Sequence, residues 1–233
     1  MNVGDLTVVR GMDDTRAALA RWAQRPGPVI GEWAMRSFAV AVGLLIAVYV
    51  IARVSTPDLT PLIIPGVTTP PTSADLGPIL FRNSLVLALH AFACVAGFLA
   101  GSTLPLEAAS MRGIWKAAHD WAGTLAIWFV ILATAFSLCT QAFALGAGTS
   151  SVAAQLGTTP GILLIGLLPH AIPELTALFL PLAAWLVASR RGQWNELLAA
   201  TFVTMIIAAP VVVAAAFIET YFSPRLIQVL IGG

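Results

Sequence analysis

Long apolar runs, separated by polar or proline-rich connections, dominate the pattern of this chain. Five runs approach the roughly 20 residues that an α-helix needs to cross a bilayer. They cover residues 38–54, 84–103, 121–145, 161–189 and 197–218. The pattern predicts an all-α fold, a polytopic transmembrane helical bundle of about five spans.

Composition supports this prediction. The chain is 58% hydrophobic and 10% charged, with a mean hydropathy of +0.89, whereas soluble domains average about 25% charged residues. This composition indicates an integral membrane protein with the lipid bilayer as its first partner. The net charge of +1 and the lack of a basic tract give no sign of a nucleic-acid partner.

Lysine and arginine are unevenly distributed between the two sides of the predicted bundle. Nine of them fall in the N-terminal leader, the second-to-third connection and the fourth-to-fifth connection. Only Arg53, Arg82 and Arg225 fall on the opposite side. Positive residues concentrate on the cytoplasmic side, so the sequence predicts a multi-pass protein of the cell (inner, cytoplasmic) membrane with its N-terminus in the cytoplasm.

Residues 1–36 form a charged leader, and residues 37–233 are predicted to form the transmembrane domain. Within the leader, residues 13–22 predict a helix that the prolines of 26–28 end, followed by a short helix containing Trp33. The first helix is interpreted either as an amphipathic helix lying on the cytoplasmic membrane face or as a solvated segment anchored by tryptophan.

Two connections have distinct patterns. Residues 55–73 contain five prolines and predict an irregular external loop. Residues 104–120 mix charged and apolar positions and predict an amphipathic cytoplasmic connection.

The fourth span contains the most informative polar residues. His170 and Glu174 are four residues apart, on one helical face, and Pro169 and Pro173 remove backbone donors beside them. We expect a helix break or kink at these prolines. Ionisable residues inside a membrane mark functional sites or helix contacts, so a proton relay, a polar substrate contact, a hinge and a structural tie between helices all stay open.

Three further polar residues stand in apolar surroundings. His90 in span two is interpreted as a helix–helix hydrogen-bonding group or, alternatively, a ligand or proton carrier. Asn83 is predicted to cap the outer start of that span. Glu219 closes span five near the outer interface, and we expect it to join His170 and Glu174 in one interhelical polar cluster.

The sequence alone does not predict a metal site or any other cofactor. His170 and Glu174 have a spacing compatible with zinc, but a third and a fourth ligand are needed, so His90 or Glu219 would have to converge on them. Nucleophile-elbow, zinc-protease and phosphate-loop motifs are missing from the sequence. The chain is therefore predicted to be no enzyme, and any ATP-driven work would need a separate subunit.

Two segments resemble the stage II sporulation protein M family of bacterial and archaeal membrane proteins. Residues 169–175, Pro-His-Ala-Ile-Pro-Glu-Leu, are similar to its Pro-His-Gly-x-x-Glu-Leu hallmark, and residues 218–224 are similar to its Ile-Glu-Ala-x-x-x-Pro ending. Weaker similarity, at Arg82-Asn83, Phe92, Gly97 and Gly101, extends the resemblance to residues 81–224.

The resemblance implies a five-span membrane scaffold or assembly subunit without enzymatic activity, in which His170, Glu174 and Glu219 are the shared polar set. The alternative that it implies is the membrane permease of an ABC-type peptide exporter working with a separate ATPase. Expected partners are other membrane or cytoplasmic subunits, and a homo-oligomer is also open.

Overall fold

The computed structural model describes residues 7–103 and 113–232, and their regular structure is helical. The α-helices are α1 (Thr7–Gln24), α2 (Pro26–Val54), α3 (Leu76–Phe98), α4 (Ile114–Gln155), α5 (Pro160–Leu178), α6 (Leu180–Arg191), α7 (Leu197–Phe217) and α8 (Ser223–Ile231). Residues 55–72 form the predicted irregular loop, interrupted by one isolated bridge between Pro65 and Thr69.

Five helical stretches are long and apolar enough to cross a membrane. They are Pro26–Val54, Ser73–Ser102, Ile127–Gln155, Pro160–Arg191 and Trp194–Ile231. The predicted all-α polytopic bundle is therefore confirmed. The amphipathic connection predicted over residues 104–120 lies outside the described residues, apart from the backbone from Gly113 onward.

The leader differs from its prediction in two respects. Helix α1 begins at Thr7, earlier than expected, and no separate short helix holds Trp33. Instead, Pro26 and Pro28 lie in the first turn of α2, which continues without interruption to Val54. Proline is tolerated in a first turn because the N–H groups there have no acceptor within the helix.

Asn83 does not cap span two, contrary to the prediction. The helical path begins earlier, where the Asp75 carboxylate accepts hydrogen bonds from the Thr72 N–H at 2.7 Å and the Thr72 hydroxyl at 2.9 Å. This reciprocal arrangement is a typical helix start. Asn83 consequently lies inside α3 and is 3% exposed.

Span four is interrupted, but not at the predicted prolines. Helix α5 continues through Pro169 and Pro173 and ends at Leu178, and α6 begins after Phe179. The interruption follows from Pro181, which lies in the first turn of α6. Pro181 cannot donate to the carbonyl four residues earlier, and its ring disfavours a continuous helix there.

Span five does not end near Ile218 as predicted. A π-helical segment, Ile218–Phe222, leads directly into α8. Glu219 therefore lies inside a longer helical path rather than at its end, which changes its expected environment.

The chain folds as two compact units, each built from three stretches. Unit one contains Met1–Ser37, Leu87–Thr134 and Phe179–Ala208, and unit two contains Phe38–Val86, Ala135–Leu178 and Ala209–Gly233.

Unit one has an apolar core centred on tryptophan rings. Trp33 packs against α6 and α7, and Trp185 packs with Phe98 and Leu197. Gly97 permits this packing, because a Cβ atom there would lie 2.6 Å from the Trp185 ring nitrogen and 2.8 Å from Leu197.

Ion pairs fix the leader within unit one. Arg21 contacts Glu196 at 2.7 Å, and Glu32 contacts both Arg191 at 2.9 Å and Arg36 at 2.8 Å. These contacts involve half-exposed side chains, where each pair contributes at most about 1 kcal/mol.

In unit two, helix α4 holds the loop of residues 55–72. The Gln155 side chain donates to the Thr60 carbonyl at 2.8 Å and accepts from the Leu62 N–H at 3.0 Å. The Asp58 N–H donates to the Ser151 hydroxyl at 3.0 Å. Hydrogen bonds from the Thr60 N–H and hydroxyl hold the pKa of Asp58 below its usual value.

Candidate functional site: a buried polar cluster in unit two

Helices α5 and α8 pack in an antiparallel register that one glycine sets. A Cβ atom at Gly166 would lie 2.5 Å from Cγ1 of Ile227, so only glycine allows this approach. Ile227 is buried together with Leu163 and Ala153. One turn further along α5, and one turn back along α8, the same register brings His170 to Ser223.

The second pair of the register is a buried hydrogen bond. His170 Nδ1 and Ser223 Oγ are 2.7 Å apart, and the two residues are 7% and 1% exposed. This bond fixes the orientation of the imidazole ring. The direction of the other ring nitrogen, Nε2, is fixed as well, because the bonded ring cannot rotate freely.

The third pair of the register brings two carboxylates together. Glu174 lies one turn beyond His170, and Glu219 lies one turn before Ser223. One ligand atom from each of His170, Glu174 and Glu219 lies within 4.8 Å of the others. The structure thus places these three predicted residues in one cluster.

Two residues of α3 complete the cluster. The Arg82 guanidinium lies 3.7 Å from Oε1 of Glu219, although the arginine side chain is 63% exposed. The Asn83 amide faces Glu174. Its Nδ2 atom is buried without a hydrogen-bond partner within 3.5 Å among the described residues, as are Oε2 of Glu174 and Oε2 of Glu219.

The π-helical segment Ile218–Phe222 contains Glu219 and ends directly before Ser223. A π-helical turn contains an extra residue, and such turns are frequent at functional sites. The Thr220 hydroxyl, inside this segment, donates to the Ala216 carbonyl at 2.8 Å and is buried. The Thr220 hydroxyl therefore stays paired within its own helical path, whereas the Glu219 carboxylate is directed to the cluster.

His90 belongs to unit one rather than to the unit that holds the cluster. Its ring lies 5.4 Å from the ring of Phe179, centroid to centroid. This ring contact joins His90 to the residue at the span-four interruption, and the helix–helix hydrogen bond expected of His90 stays a prediction.

Sequence reasoning gave no role to three residues that build the site: Arg82, Gly166 and Ser223. In the sequence, Arg82 bears only on the charge distribution and the weaker family similarity, and Ser223 only on the similarity of residues 218–224. The i, i+4 spacing of Gly166, His170 and Glu174, matched by that of Ile227, Ser223 and Glu219, was the signal that could have revealed the paired register.

Chemically, the cluster combines one imidazole, two carboxylates and a displaceable guanidinium. Two buried carboxylates at this separation repel each other unless a proton or a cation lies between them. The cluster can therefore bind a proton or a cation, or tie three helices together.

Fold and site together define a multi-pass α-helical membrane protein with a buried polar cluster in one of its two units. Residues 114–224, slightly less than half of the chain, match the Stage II sporulation protein M (SpoIIM) family model. Residues 169–175 and 218–224 both lie inside the matched region, so the resemblance to this family predicted from them is confirmed. The weaker similarity at Arg82-Asn83, Phe92, Gly97 and Gly101 lies outside the matched region.

No curated protein and no solved structure matches the chain.

Proposed function

We propose that this protein is a non-enzymatic scaffold or assembly subunit of the cell membrane, with its N-terminus in the cytoplasm. The observation that supports the proposal is the low burial of the third span. In an apolar 18-residue stretch of this span, 11% of the residues are buried inside the protein, against 28–44% in the corresponding stretches of the other four spans. A span with so few partners of its own offers its surface to another membrane protein.

The exposed face of this span has the character of a helix-packing surface. Within unit two, Phe136 and Phe143 are 74% and 67% exposed and lie seven residues apart on α4. A seven-residue repeat keeps side chains on one face of a helix that packs along another helix. The partner that fits is a single transmembrane helix of a second membrane protein.

Photo-crosslinking tests the proposed surface. A photoreactive amino acid at Phe136 should yield a defined protein adduct in native membranes. The matched control is Ile46, an apolar position on span one that is 59% exposed, where only lipid adducts are expected. Lipid adducts alone at both positions would contradict the proposal.

Purification from native membranes separates the scaffold from the exporter permease. Co-purifying enzymes or receptors whose retention does not depend on nucleotide support the scaffold. A stoichiometric ATPase whose turnover depends on this chain would replace the scaffold proposal with the exporter.

Cysteine labelling tests the proposed orientation. Ile63 lies in the loop of residues 55–72 and is 79% exposed. A cysteine introduced there by Ile63→Cys should react with a membrane-impermeant maleimide in intact cells. Asn195→Cys, in the exposed connection before α7, should react only after permeabilisation. Cys139, which is also exposed, is replaced by alanine in both variants. The reverse pattern would overturn the orientation.

A further inference from the structure

The polar cluster has a donor set that goes beyond a structural tie between helices. His170, Glu174 and Glu219 each offer one ligand atom, and these atoms lie within 4.8 Å of one another. Ligands of a tetrahedral Zn²⁺ lie about 3.5 Å apart, given bond lengths of about 2.0–2.2 Å. Side-chain rotations that move the ligand atoms by about an ångström therefore suffice to bring all three to an ion.

The histidine also has its own orienting neighbour. Ser223 Oγ lies 2.7 Å from Nδ1 of His170, which leaves Nε2 for an ion. Metal-binding imidazoles characteristically have such a partner on the nitrogen that does not face the ion.

One oxygen atom of each carboxylate has no hydrogen-bond partner in the part of the chain that the structure describes and could therefore bind an ion. Oε2 of Glu174 and Oε2 of Glu219 are buried without a hydrogen-bond partner among the described residues, and Glu174 is only 8% exposed. A buried oxygen without a partner is costly. We propose that His170, Glu174 and Glu219 bind a divalent first-row cation of the zinc type.

Charge gives Arg82 a specific part in this site. With the guanidinium beside Glu219, a divalent ion would leave the cluster with excess positive charge. Because the Arg82 side chain is 63% exposed, it can turn toward solvent when the ion enters, and two carboxylates then balance the two positive charges. Arg82 and the cation therefore compete for the same carboxylate.

This inference is independent of the scaffold proposal, because it concerns only residues of unit two and its test needs no partner. The full chain, purified in detergent and stripped with a chelator, is titrated with Zn²⁺ against a chromogenic zinc indicator. Bound zinc is counted by mass spectrometry, and Co²⁺ absorption reports the ligand field.

We expect about one Zn²⁺ per chain. Glu174→Gln and Glu219→Gln keep the shape of the side chains, and each should weaken binding at least about ten-fold. Ser223→Ala should weaken it by about 10- to 100-fold, since the ring loses its orienting bond. Arg82→Gln should strengthen it several-fold, because a competing positive charge is removed.

Two control variants should leave zinc affinity unchanged: His90→Gln, at the buried histidine of unit one, and Glu196→Gln, at the carboxylate paired with Arg21. Arg82→Gln alters a largely exposed side chain, so its effect is measured on folded protein. The proposal is overturned if no zinc binds at micromolar free ion, if Glu174→Gln and Glu219→Gln bind as the parent does, or if Arg82→Gln weakens binding. Proton uptake by the cluster without zinc binding would likewise overturn it and leave a proton site.

Discussion

Unit one surrounds tryptophan and phenylalanine rings with small and aliphatic side chains, and its acidic residues Glu32 and Glu196 meet arginines at half-exposed positions. Unit one also buries His90, against the ring of Phe179. Unit two instead buries His170 together with Glu174 and brings a second glutamate to them. Apolar packing is satisfied by shape alone, whereas buried ionisable groups require particular partners. We infer that close packing of shapes stabilises unit one and that the cluster of ionisable groups distinguishes unit two, and four substitutions test this difference.

The largest effect is expected from Phe179→Ala in unit one. Phe179 is fully buried at the span-four interruption and contacts the His90 ring. Truncation of a fully buried phenylalanine leaves a cavity and typically costs about 3–5 kcal/mol. Unfolding followed in detergent should show this loss, while Phe202→Ala, at a position that is 56% exposed, should change stability by less than about 1 kcal/mol. Equal losses of stability in Phe179→Ala and Phe202→Ala would contradict the role of close packing in unit one.

Gly97→Ala tests the closeness of helix packing in unit one. The added methyl group would lie 2.6 Å from Trp185, and overpacking of this kind costs about 1–3 kcal/mol. Gly77→Ala is the matched control in the same helix, since a Cβ atom there meets nothing within 4 Å. There the better helix propensity of alanine should raise stability by up to about 1 kcal/mol. A neutral Gly97→Ala would contradict the described contact.

Ser223→Ala tests the polar side of the comparison. Removal of the hydroxyl leaves His170 Nδ1 buried without its partner, and polar contacts between membrane helices contribute about 0.6–2 kcal/mol. The melting temperature should fall accordingly. Thr220→Ala, which removes a hydroxyl bonded only to the Ala216 carbonyl of its own helical path, should have the smaller effect. The opposite order would show that α5 and α8 do not depend on the His170 bond.

The smallest effect concerns the exposed polar contacts of unit two. Hydrogen bonds from Thr60 lower the pKa of Asp58. The ionised carboxylate therefore stabilises the loop fully above the usual carboxyl pKa of about 3.9, and this stabilisation is lost as the pH falls through the lowered pKa. The protection of the Thr60 amide, which is its exchange rate relative to the intrinsic rate at each pH, should therefore decrease in acid. Asp58→Asn should show the lower protection already at neutral pH, without a further decrease in acid. Asp13→Asn in the leader should leave exchange at Thr60 unchanged.

The fold was largely predictable because membrane spans are specified by length and apolarity, and both are visible in the sequence. The position of the helix break in span four was not predictable, since Pro169, Pro173 and Pro181 are chemically identical. Which of them interrupts the helix depends on whether neighbouring helices accommodate the missing hydrogen bonds. The early start of span two depended on a local exchange of hydrogen bonds between Thr72 and Asp75.

The candidate site was predictable only in part. The cost of burying ionisable groups singled out His170, Glu174 and Glu219, but Glu219 was expected to close span five, whereas the helical path continues through residues 218–231. Arg82 and Ser223 gave no comparable signal. An arginine at the end of a span and a serine before a proline are both ordinary until the helix register is known.

The π-helical segment Ile218–Phe222 has a consequence for how this protein can vary. Each residue advances an α-helix by about 100°, so one residue inserted into a regular helix turns everything after it to a different side. A π-helical turn instead takes up one extra residue locally, so Ser223 and Ile227 still face α5. Insertions and deletions are usually tolerated in connections between helices and harmful inside them. At this point inside a span, the π-helical turn accommodates an extra residue, and the two halves of the cluster still face each other.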